Sequence, residues 1–359
     1  MNIAFFGSYG AFDYFKIGGI ESLTRRLAGE LLRRGHRVGF VVYGAPTTGD
    51  EIAGAGINLH YRPTLKAALA TIAHSYDQVL TLYLHPRDRL IYLQFRRAQR
   101  HRLCFHRLCN GWPDSSLKRW ASNLDARLYP FNGRLFCISL RIKKAVSQWS
   151  EKGVLLLPPV SEAYFLTPES KPWHQTVKVT YIGRTEPAKG IEEVINLHRL
   201  FQNPSAWDLT IYGFYHQNHA DAVRIHEWLA HQQEIRYVNT PFEGYSPGVE
   251  DNLVQVLAES DILLLPYLRL SSTIDTPVLL CEGMASLCAV FTRPWGDIPT
   301  IYGPSPFLLN KVEEMGEVLN RLPRSQELLK QERERIYQRN KQLGFNTEMV
   351  AQHFLEAIS

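Results

Sequence analysis

The chain has 359 residues, of which 45% are hydrophobic and 21% charged, and its formal net charge is +5. This balance excludes a disordered chain, and the length favours two globular domains over one. No apolar stretch approaches the roughly 20 residues that span a bilayer, and the first residues lack the pattern of a signal peptide, so we expect a cytoplasmic protein.

The first half of the sequence alternates apolar segments with segments of helical periodicity. A strand at 2–7 ends in glycine, a helix at 19–34 has leucines at helical spacing, and a second strand follows at 37–44. Further strands are predicted at 78–84, 103–105, 135–138 and 154–157, and a short helix at 141–150.

The pattern then restarts. Strands are predicted at 177–182, 208–212, 235–238, 262–265 and 288–292, with helices between them and a last helix at 347–358. Strands separated by helices indicate parallel sheets with right-handed crossovers. We therefore predict an α/β fold with two doubly wound domains, 1–165 and 166–344, joined through the proline-rich stretch 158–174. The C-terminal segment 345–359 could pack back on the first domain. A ligand is expected at the carboxyl ends of the strands, in a cleft between the domains.

The segment 271–285 carries the strongest functional signal. It follows a buried strand and opens a helix in which Thr276 is the predicted N-cap and Pro277 the first residue. The free N–H groups of that first turn, including that of Val278, would face an anion. Glu282 lies under two turns further on, where a carboxylate could accept hydrogen bonds from a ribose diol. A nucleotide diphosphate requires this combination.

Two loops at predicted strand ends add to this site. Arg184 ends one strand and Lys189 begins the next helix, an arrangement that suits a diphosphate, although both could be surface charges. Gly18 and Gly19 stand before the first helix, where the backbone could approach a ligand or simply turn. The loop lacks the G-x-G-x-x-G pattern, which disfavours a nicotinamide dehydrogenase.

Histidines and cysteines give weaker signals. His106 follows a predicted strand and would face the cleft, and His85 has a similar context, although a lone histidine is as often structural. The five cysteines lack zinc or redox spacing and are expected to be reduced. No metal and no cofactor are expected.

The stretch from Arg87 to Arg119 is strongly basic. Nine Arg or Lys residues are opposed only by Asp88 and Asp114. Such a block suits phosphates, anionic lipid or nucleic acid, or it is a solvated helix face. Nucleic acid is disfavoured because no nucleic-acid module is recognisable.

In their order along the chain, these pieces resemble glycosyltransferase family 4, whose members are retaining transferases of the GT-B fold. The resemblance includes Gly18-Gly19, Phe105-His106, Ile138-Ser139, Gly183-Arg184, Lys189-Gly190, Asp261 to Pro266 and Glu282-Gly283-Met284-Ala285. It implies that Arg184 and Lys189 hold the diphosphate of a nucleotide-sugar donor, UDP-linked rather than GDP-linked, and that Glu282 holds the ribose. It also implies that Gly18 and Gly19 approach the donor from the acceptor domain and that His106 lies near the transferred sugar.

The sequence departs from the family pattern at one important place. The first glutamate of the family's Glu-x7-Glu motif would fall at Ile274, so Asp275 is the candidate replacement, and Asp275-Thr276-Pro277 stands where a glycine-rich turn is usual. The resemblance implies transfer of a sugar to a glycan or lipid-linked acceptor in polysaccharide or glycolipid assembly, with possible contact of the 87–119 region with an anionic membrane. Two alternatives remain open: a GT-B nucleotide-sugar epimerase, and a non-catalytic protein that binds a nucleotide sugar or an anionic polymer.

Overall fold

The computed structural model describes residues 1–54, 56–111, 120, 132–148, 150–214, 220–233, 235–239, 245–322 and 326–359. The chain divides into two units. Unit 1 consists of Met1–Pro159 and Asn346–Ser359, and unit 2 consists of Val160–Phe345.

Unit 1 contains an eight-stranded sheet with the strand order β3-β4-β2-β1-β5-β6-β7-β8. All neighbours are parallel except β3 and β4, which form an antiparallel pair at one edge. The strands are β1 (Asn2–Ser8), β2 (Arg37–Tyr43), β3 (Gly49–Ala53), β4 (Ile57–Arg62), β5 (Gln78–Tyr83), β6 (Cys104–Cys109), β7 (Leu135–Cys137) and β8 (Gly153–Leu155).

Unit 2 contains a five-stranded, fully parallel sheet with the strand order β11-β10-β9-β12-β13. Its strands are β9 (Val177–Arg184), β10 (Trp207–Phe214), β11 (Arg236–Asn239), β12 (Ile262–Leu265) and β13 (Ala289–Thr292). Strands of parallel sheets are covered on both faces, which explains why the central strand β12 is buried at every residue and has an apolar sequence. The edge strand β13 is also buried at every residue.

The described helices alternate with the strands and are numbered in chain order. They are α1 (Gly19–Arg33), α2 (Leu65–Ser75), α3 (Arg89–Gln99), α4 (Leu140–Ser147), α5 (Ile191–His198), α6 (Ala220–Ala230), α7 (Pro247–Glu259), α8 (Val278–Ala285), α9 (Ile298–Tyr302), α10 (Val312–Arg321), α11 (Gln326–Leu343) and α12 (Thr347–Ile358). None of these described helices is long and apolar enough to cross a membrane.

The last helix, α12, belongs to unit 1. The ring centroid of Phe354 lies 4.8 Å from that of Phe136 on β7, and the Arg34 guanidinium donates to the Glu348 carbonyl at 2.8 Å. The chain therefore passes from unit 1 into unit 2 and returns to unit 1 for its last helix.

The proline-rich stretch 158–174 is not a free linker. From Val160 onward it packs into unit 2, where the Tyr164 side chain is fully buried. Lys171 is also buried, and its ammonium group donates to the Leu257 carbonyl at 2.8 Å. The prolines restrict this segment without exposing it, so composition alone was a poor guide here.

Candidate functional site

The carboxyl edge of the unit 2 sheet carries the two cations predicted to bind a diphosphate. Arg184 is the last residue of β9, and its guanidinium pairs with the Glu186 carboxylate at 3.0 Å. The Tyr181 hydroxyl donates to the Arg184 carbonyl at 2.9 Å and so holds this end of the strand. Lys189 follows in a 3-10 turn directly before α5. Both cations thus stand on one loop, at the sheet edge where ligands of open α/β folds bind.

Gly190 brings this loop against the chain that follows β12. Its φ of +81° lies in the left-handed region, and a Cβ atom at this position would collide with the Pro266 carbonyl oxygen. Only glycine satisfies both conditions. The consequence is that Lys189 reaches across to the segment 266–277.

Lys189 is partly buried between these two chain segments. Its ammonium group donates to the Ser272 carbonyl and lies 5.3 Å from the centroid of the Tyr267 ring. Burial, together with the nearby charge of Arg184, lowers the pKa of Lys189 to about 8. A bound phosphate would favour the charged ammonium again, so this lysine is suited to an anionic ligand.

The anion-binding helix is present, but it begins one residue later than predicted. Pro277 is the N-cap of α8 with a ψ of 130°, and Val278 is the first helical residue. The prediction of Thr276 as N-cap was wrong, because its buried hydroxyl has no hydrogen-bond partner among the described residues. The buried hydroxyl of Ser272 also has no hydrogen-bond partner among the described residues. Two buried hydroxyls on the segment that leads into a helix N-terminus are available to hydrogen-bond a ligand.

Two carboxylates complete this edge of unit 2. Glu282 on α8 is 4% exposed, and its charge is one of the causes, after burial, that raise the pKa of Tyr267 to about 12. Asp275 is equally buried, and one of its carboxylate oxygens lies 3.2 Å from the position of a Cβ on Gly296. Glu282 and Lys189 therefore both lie near Tyr267. Asp275 lies against the turn that follows β13.

Trp295, in that same turn, was not singled out by sequence reasoning. Its indole N–H donates to the Tyr267 carbonyl at 2.7 Å, which fixes the turn after β13 against the chain after β12. The sequence offered one signal for this residue, which is an aromatic side chain directly before the glycine of a turn.

In unit 1, the glycine pair begins α1 after the loop that follows β1. Gly18 is the N-cap and Gly19 the first helical residue. A Cβ on Gly18 would collide with the carboxylate of Glu21, whose pKa is raised chiefly by burial. Sequence reasoning missed Glu21, although an acidic residue in the first turn of a helix is a recognisable N-terminal signal. The space over Gly18 is thus occupied by this carboxylate.

The placement predicted for His106 was wrong. β6 does not end at Phe105 but continues to Cys109, so His106 lies inside the strand with 1% exposure. Its Nδ1 accepts from the Arg134 backbone N–H at 2.9 Å, and its Nε2 lies 2.8 Å from the side-chain oxygen of Gln78. Burial lowers its pKa to about 4, so it is a neutral histidine whose two nitrogens are used within unit 1.

His85 and Asn110 lie just after the ends of two strands of unit 1, β5 and β6. His85 comes after β5, and its Nδ1 accepts from the Arg87 N–H at 3.3 Å. Asn110 comes directly after Cys109, at the position that the prediction had assigned to His106. The strand end could have been found only by knowing how β6 pairs with its neighbours.

Part of the basic block forms helix α3. The side chain of Arg96 is buried, whereas those of Arg97 and Arg100 are exposed. Leu90 and Ile91 are exposed on the same helix, at 63% and 38%. Asp114, Lys118 and Arg119 lie outside the described residues. Across the described part of the chain, no group of three or more His, Cys, Asp or Glu residues has the arrangement of a metal site.

Comparisons with known proteins support the fold more than the family. No protein-family model matches the chain, and no curated protein matches it by sequence.

Several solved structures, however, match the chain along almost its whole length. Sucrose-phosphate synthase from Thermosynechococcus elongatus has a TM-score of 0.73 and 14% sequence identity, with 99% of this chain and 98% of that one covered. HepE from Anabaena, in complex with UDP and glucose, has a TM-score of 0.70 and 14% identity over 99% and 98%. The catalytic domain of starch synthase IV from Arabidopsis thaliana, bound to ADP and acarbose, has a TM-score of 0.63 and 11% identity over 98% and 99%.

These structures are glycosyltransferases of the GT-B fold, and the similarity confirms the predicted fold class. The chain is an α/β protein with parallel sheets and has the GT-B fold.

Proposed function

We propose that the chain is a retaining glycosyltransferase of family 4 that moves a hexosyl group from a nucleotide diphosphate-sugar to an acceptor hydroxyl without a metal ion. The observation that carries this proposal is the partly buried Lys189 ammonium, which contacts the Ser272 carbonyl on the segment that leads to α8. The buried hydroxyls of Ser272 and Thr276 on the same segment have no hydrogen-bond partner among the described residues. The UDP and ADP bound to two of the similar structures support a nucleotide ligand.

The diphosphate binds to the cationic part of the site. Arg184 and Lys189 contact its oxygens, and the N–H groups of Val278 and Leu279, which have no carbonyl partner within the helix, donate from the start of α8. The Ser272 and Thr276 hydroxyls supply two more donors. These groups stabilise the negative charge that develops on the leaving diphosphate as the glycosidic bond breaks.

The carboxylates bind the sugars of the donor. Glu282 accepts hydrogen bonds from the ribose diol, and Asp275 takes the place of the absent first glutamate and binds the transferred sugar. No side chain is needed as a covalent nucleophile, because the leaving phosphate oxygen accepts the proton of the attacking acceptor hydroxyl on the same face. His106 has no role in this scheme, since both its ring nitrogens are used inside unit 1.

The first test is calorimetric titration with UDP, GDP and ADP in metal-free buffer. Wild type should bind UDP most tightly, and Glu282→Ala should lose most of that affinity. Glu192→Ala is the matched control, because Glu192 is an exposed carboxylate on α5 that pairs with Arg224 outside the site. Failure of all three nucleotides to bind would overturn the proposal.

The second test separates the enzyme classes. Wild type incubated with UDP-glucose and an acceptor should form a product with retained anomeric configuration. Conversion of the donor without any acceptor would identify an epimerase, and tight binding without turnover would identify a non-catalytic nucleotide-sugar binding protein. Either result contradicts the transferase proposal while leaving the nucleotide site intact.

For the acceptor, we propose a lipid-linked glycan at the surface of an anionic membrane. Leu90 and Ile91 stand at the beginning of helix α3, Arg97 in its last turn and Arg100 at its C-cap, and all four are exposed. Basic charge next to apolar side chains suits a bilayer with anionic headgroups.

A further inference from the structure

Two cysteines end neighbouring strands of unit 1. Cys109 is the last residue of β6, Cys137 is the last residue of β7, and the two are register partners in the parallel pairing. Register partners point to the same face of a sheet, so the two cysteine side chains are neighbours. Their distance in the sequence concealed this pair, because neither redox nor zinc motifs have such a spacing.

The backbone geometry is close to that of a disulfide. Neighbouring strands lie about 4.8 Å apart, within the range of about 4.4–6.8 Å found for Cα atoms across disulfides. The Cβ atoms of a disulfide are closer, at a mean of about 3.8 Å, so closure requires the two strand ends to approach by about 1 Å. Both cysteines are terminal residues of their strands, where such a movement disturbs the fewest ladder hydrogen bonds.

The two thiols have different environments. Cys109 is partly exposed, whereas Cys137 is fully buried. The interaction with the Cys137 thiol, together with the charge of Arg107, lowers the pKa of the Cys109 thiol against the opposing effect of its burial. The same interaction and burial raise the pKa of the Cys137 thiol. A partly exposed cysteine with a lowered thiol pKa, beside a fully buried cysteine, is the arrangement of an attacking and a resolving cysteine.

We propose that Cys109 and Cys137 form a reversible dithiol–disulfide site that exchanges with low-molecular-weight disulfides. The Cys109 thiolate attacks one sulfur of oxidised glutathione, a mixed disulfide forms, and the first glutathione thiolate leaves and takes the proton from Cys109. The Cys137 sulfur then attacks the Cys109 sulfur, its proton passes to the second glutathione, and that glutathione leaves. Two protein thiols are oxidised by two electrons, and one glutathione disulfide is reduced to two glutathione molecules.

Formation of the disulfide would affect the loops at the carboxyl edge of the unit 1 sheet. Asn110 follows Cys109 directly, and Ser139, the N-cap of α4, comes two residues after Cys137. A bond between the cysteines ties these two loops together. Because closure displaces both strand ends, the disulfide should be easily reduced, as is typical of regulatory rather than structural disulfides.

The test is treatment of the folded protein with oxidised glutathione, followed by thiol titration in denaturant and intact-mass measurement. Wild type should lose two of its five thiols and the mass of two hydrogens, and dithiothreitol should reverse both changes. Digestion without reductant should then yield one peptide pair, linked through Cys109 and Cys137. This mapping uses wild type alone and does not depend on the folding of any variant.

Cys104→Ala is the matched control. Cys104 is also partly exposed and stands at the other end of β6, but its register partner is Gln78 rather than a cysteine. This variant should lose two thiols as wild type does, and Cys137→Ala should stop at a glutathione adduct on Cys109. The proposal is overturned if wild type keeps all five thiols, if it stops at the adduct, or if the linked peptides include Cys104.

Discussion

Lys189 is the residue on which donor binding should depend most, because its charge is held in a buried position against the Ser272 carbonyl. Lys189→Met keeps a side chain of similar length and removes the charge. We expect UDP affinity to fall about 10–100-fold, the range for loss of a charge-assisted hydrogen bond worth about 1.5–3 kcal/mol. The fold should be retained, since methionine avoids the cost of burying an ammonium group.

Calorimetry with UDP checks this prediction, and Lys178→Met is its control. Lys178 lies on the same strand, β9, but near its amino end, where its ammonium group pairs with the Glu259 carboxylate at 2.8 Å. This variant should bind UDP as wild type does. Equal UDP affinity in wild type and Lys189→Met would contradict the assigned role.

The lowered pKa of Lys189 also predicts a pH dependence of nucleotide binding. The free protein loses the Lys189 proton as the pH rises through about 8, whereas a bound diphosphate raises this pKa. Binding above pH 8 therefore takes up a proton, and affinity should fall by up to about tenfold per pH unit there. In Lys189→Arg the guanidinium stays charged, so the decline should disappear. A wild-type affinity that is constant between pH 8 and 10 would contradict this prediction.

Local sequence was sufficient to place some of the candidate residues on their elements and not others. Arg184 was correctly placed at a strand end and Lys189 just before a helix, because the strand end, the glycine and the helix start lie within a dozen residues of each other. His106 was misplaced because the length of β6 is set by its pairing with β5 and β7, far away in the sequence. For the same reason Asn110 was not predicted to be the residue that follows β6.

At the scale of elements, the turn from β9 into α5 depends on Gly190. Gly190→Ala should lower the free energy of unfolding by at least about 2 kcal/mol, because alanine disfavours the positive φ and its Cβ would collide with the Pro266 carbonyl. Urea denaturation measures this change. Gly248→Ala on α7, where a Cβ meets nothing within 4 Å, is the control and should be neutral or slightly stabilising. Equal midpoints for the two variants would contradict the prediction.

The elements themselves were predicted where burial leaves an apolar pattern. β12 was predicted at its observed bounds, because all four of its residues are buried. β3 was not predicted, since it is an antiparallel edge strand with four of its five residues exposed, and it therefore carries no apolar signal. The start of α8 was displaced by one residue, because proline has the same φ at an N-cap and in a first turn, and only its ψ distinguishes the two.

For the whole molecule, the order of elements was enough to predict two α/β series, and the resemblance of the motifs to glycosyltransferase family 4 implied the GT-B fold. Similar structures at 11–14% identity show how little of the sequence this fold requires. The reason is that many apolar residues satisfy a buried strand equally well. The strand orders in the two sheets and the Cys109–Cys137 pair depend on contacts between distant segments, and no local pattern contains them.

The basic face of α3 gives a last prediction, which concerns the surface of the protein as a whole. Wild type should sediment with vesicles of phosphatidylcholine and phosphatidylglycerol, and raising the salt from about 0.1 M to about 0.5 M should weaken this binding by screening the charges. Arg97→Glu with Arg100→Glu should reduce binding at least about tenfold, at about 1 kcal/mol for each charge near the surface. Arg236→Glu, an exposed arginine on β11 of unit 2, is the control and should bind as wild type does. Binding that is absent or insensitive to salt would exclude the anionic-membrane proposal and indicate a soluble acceptor.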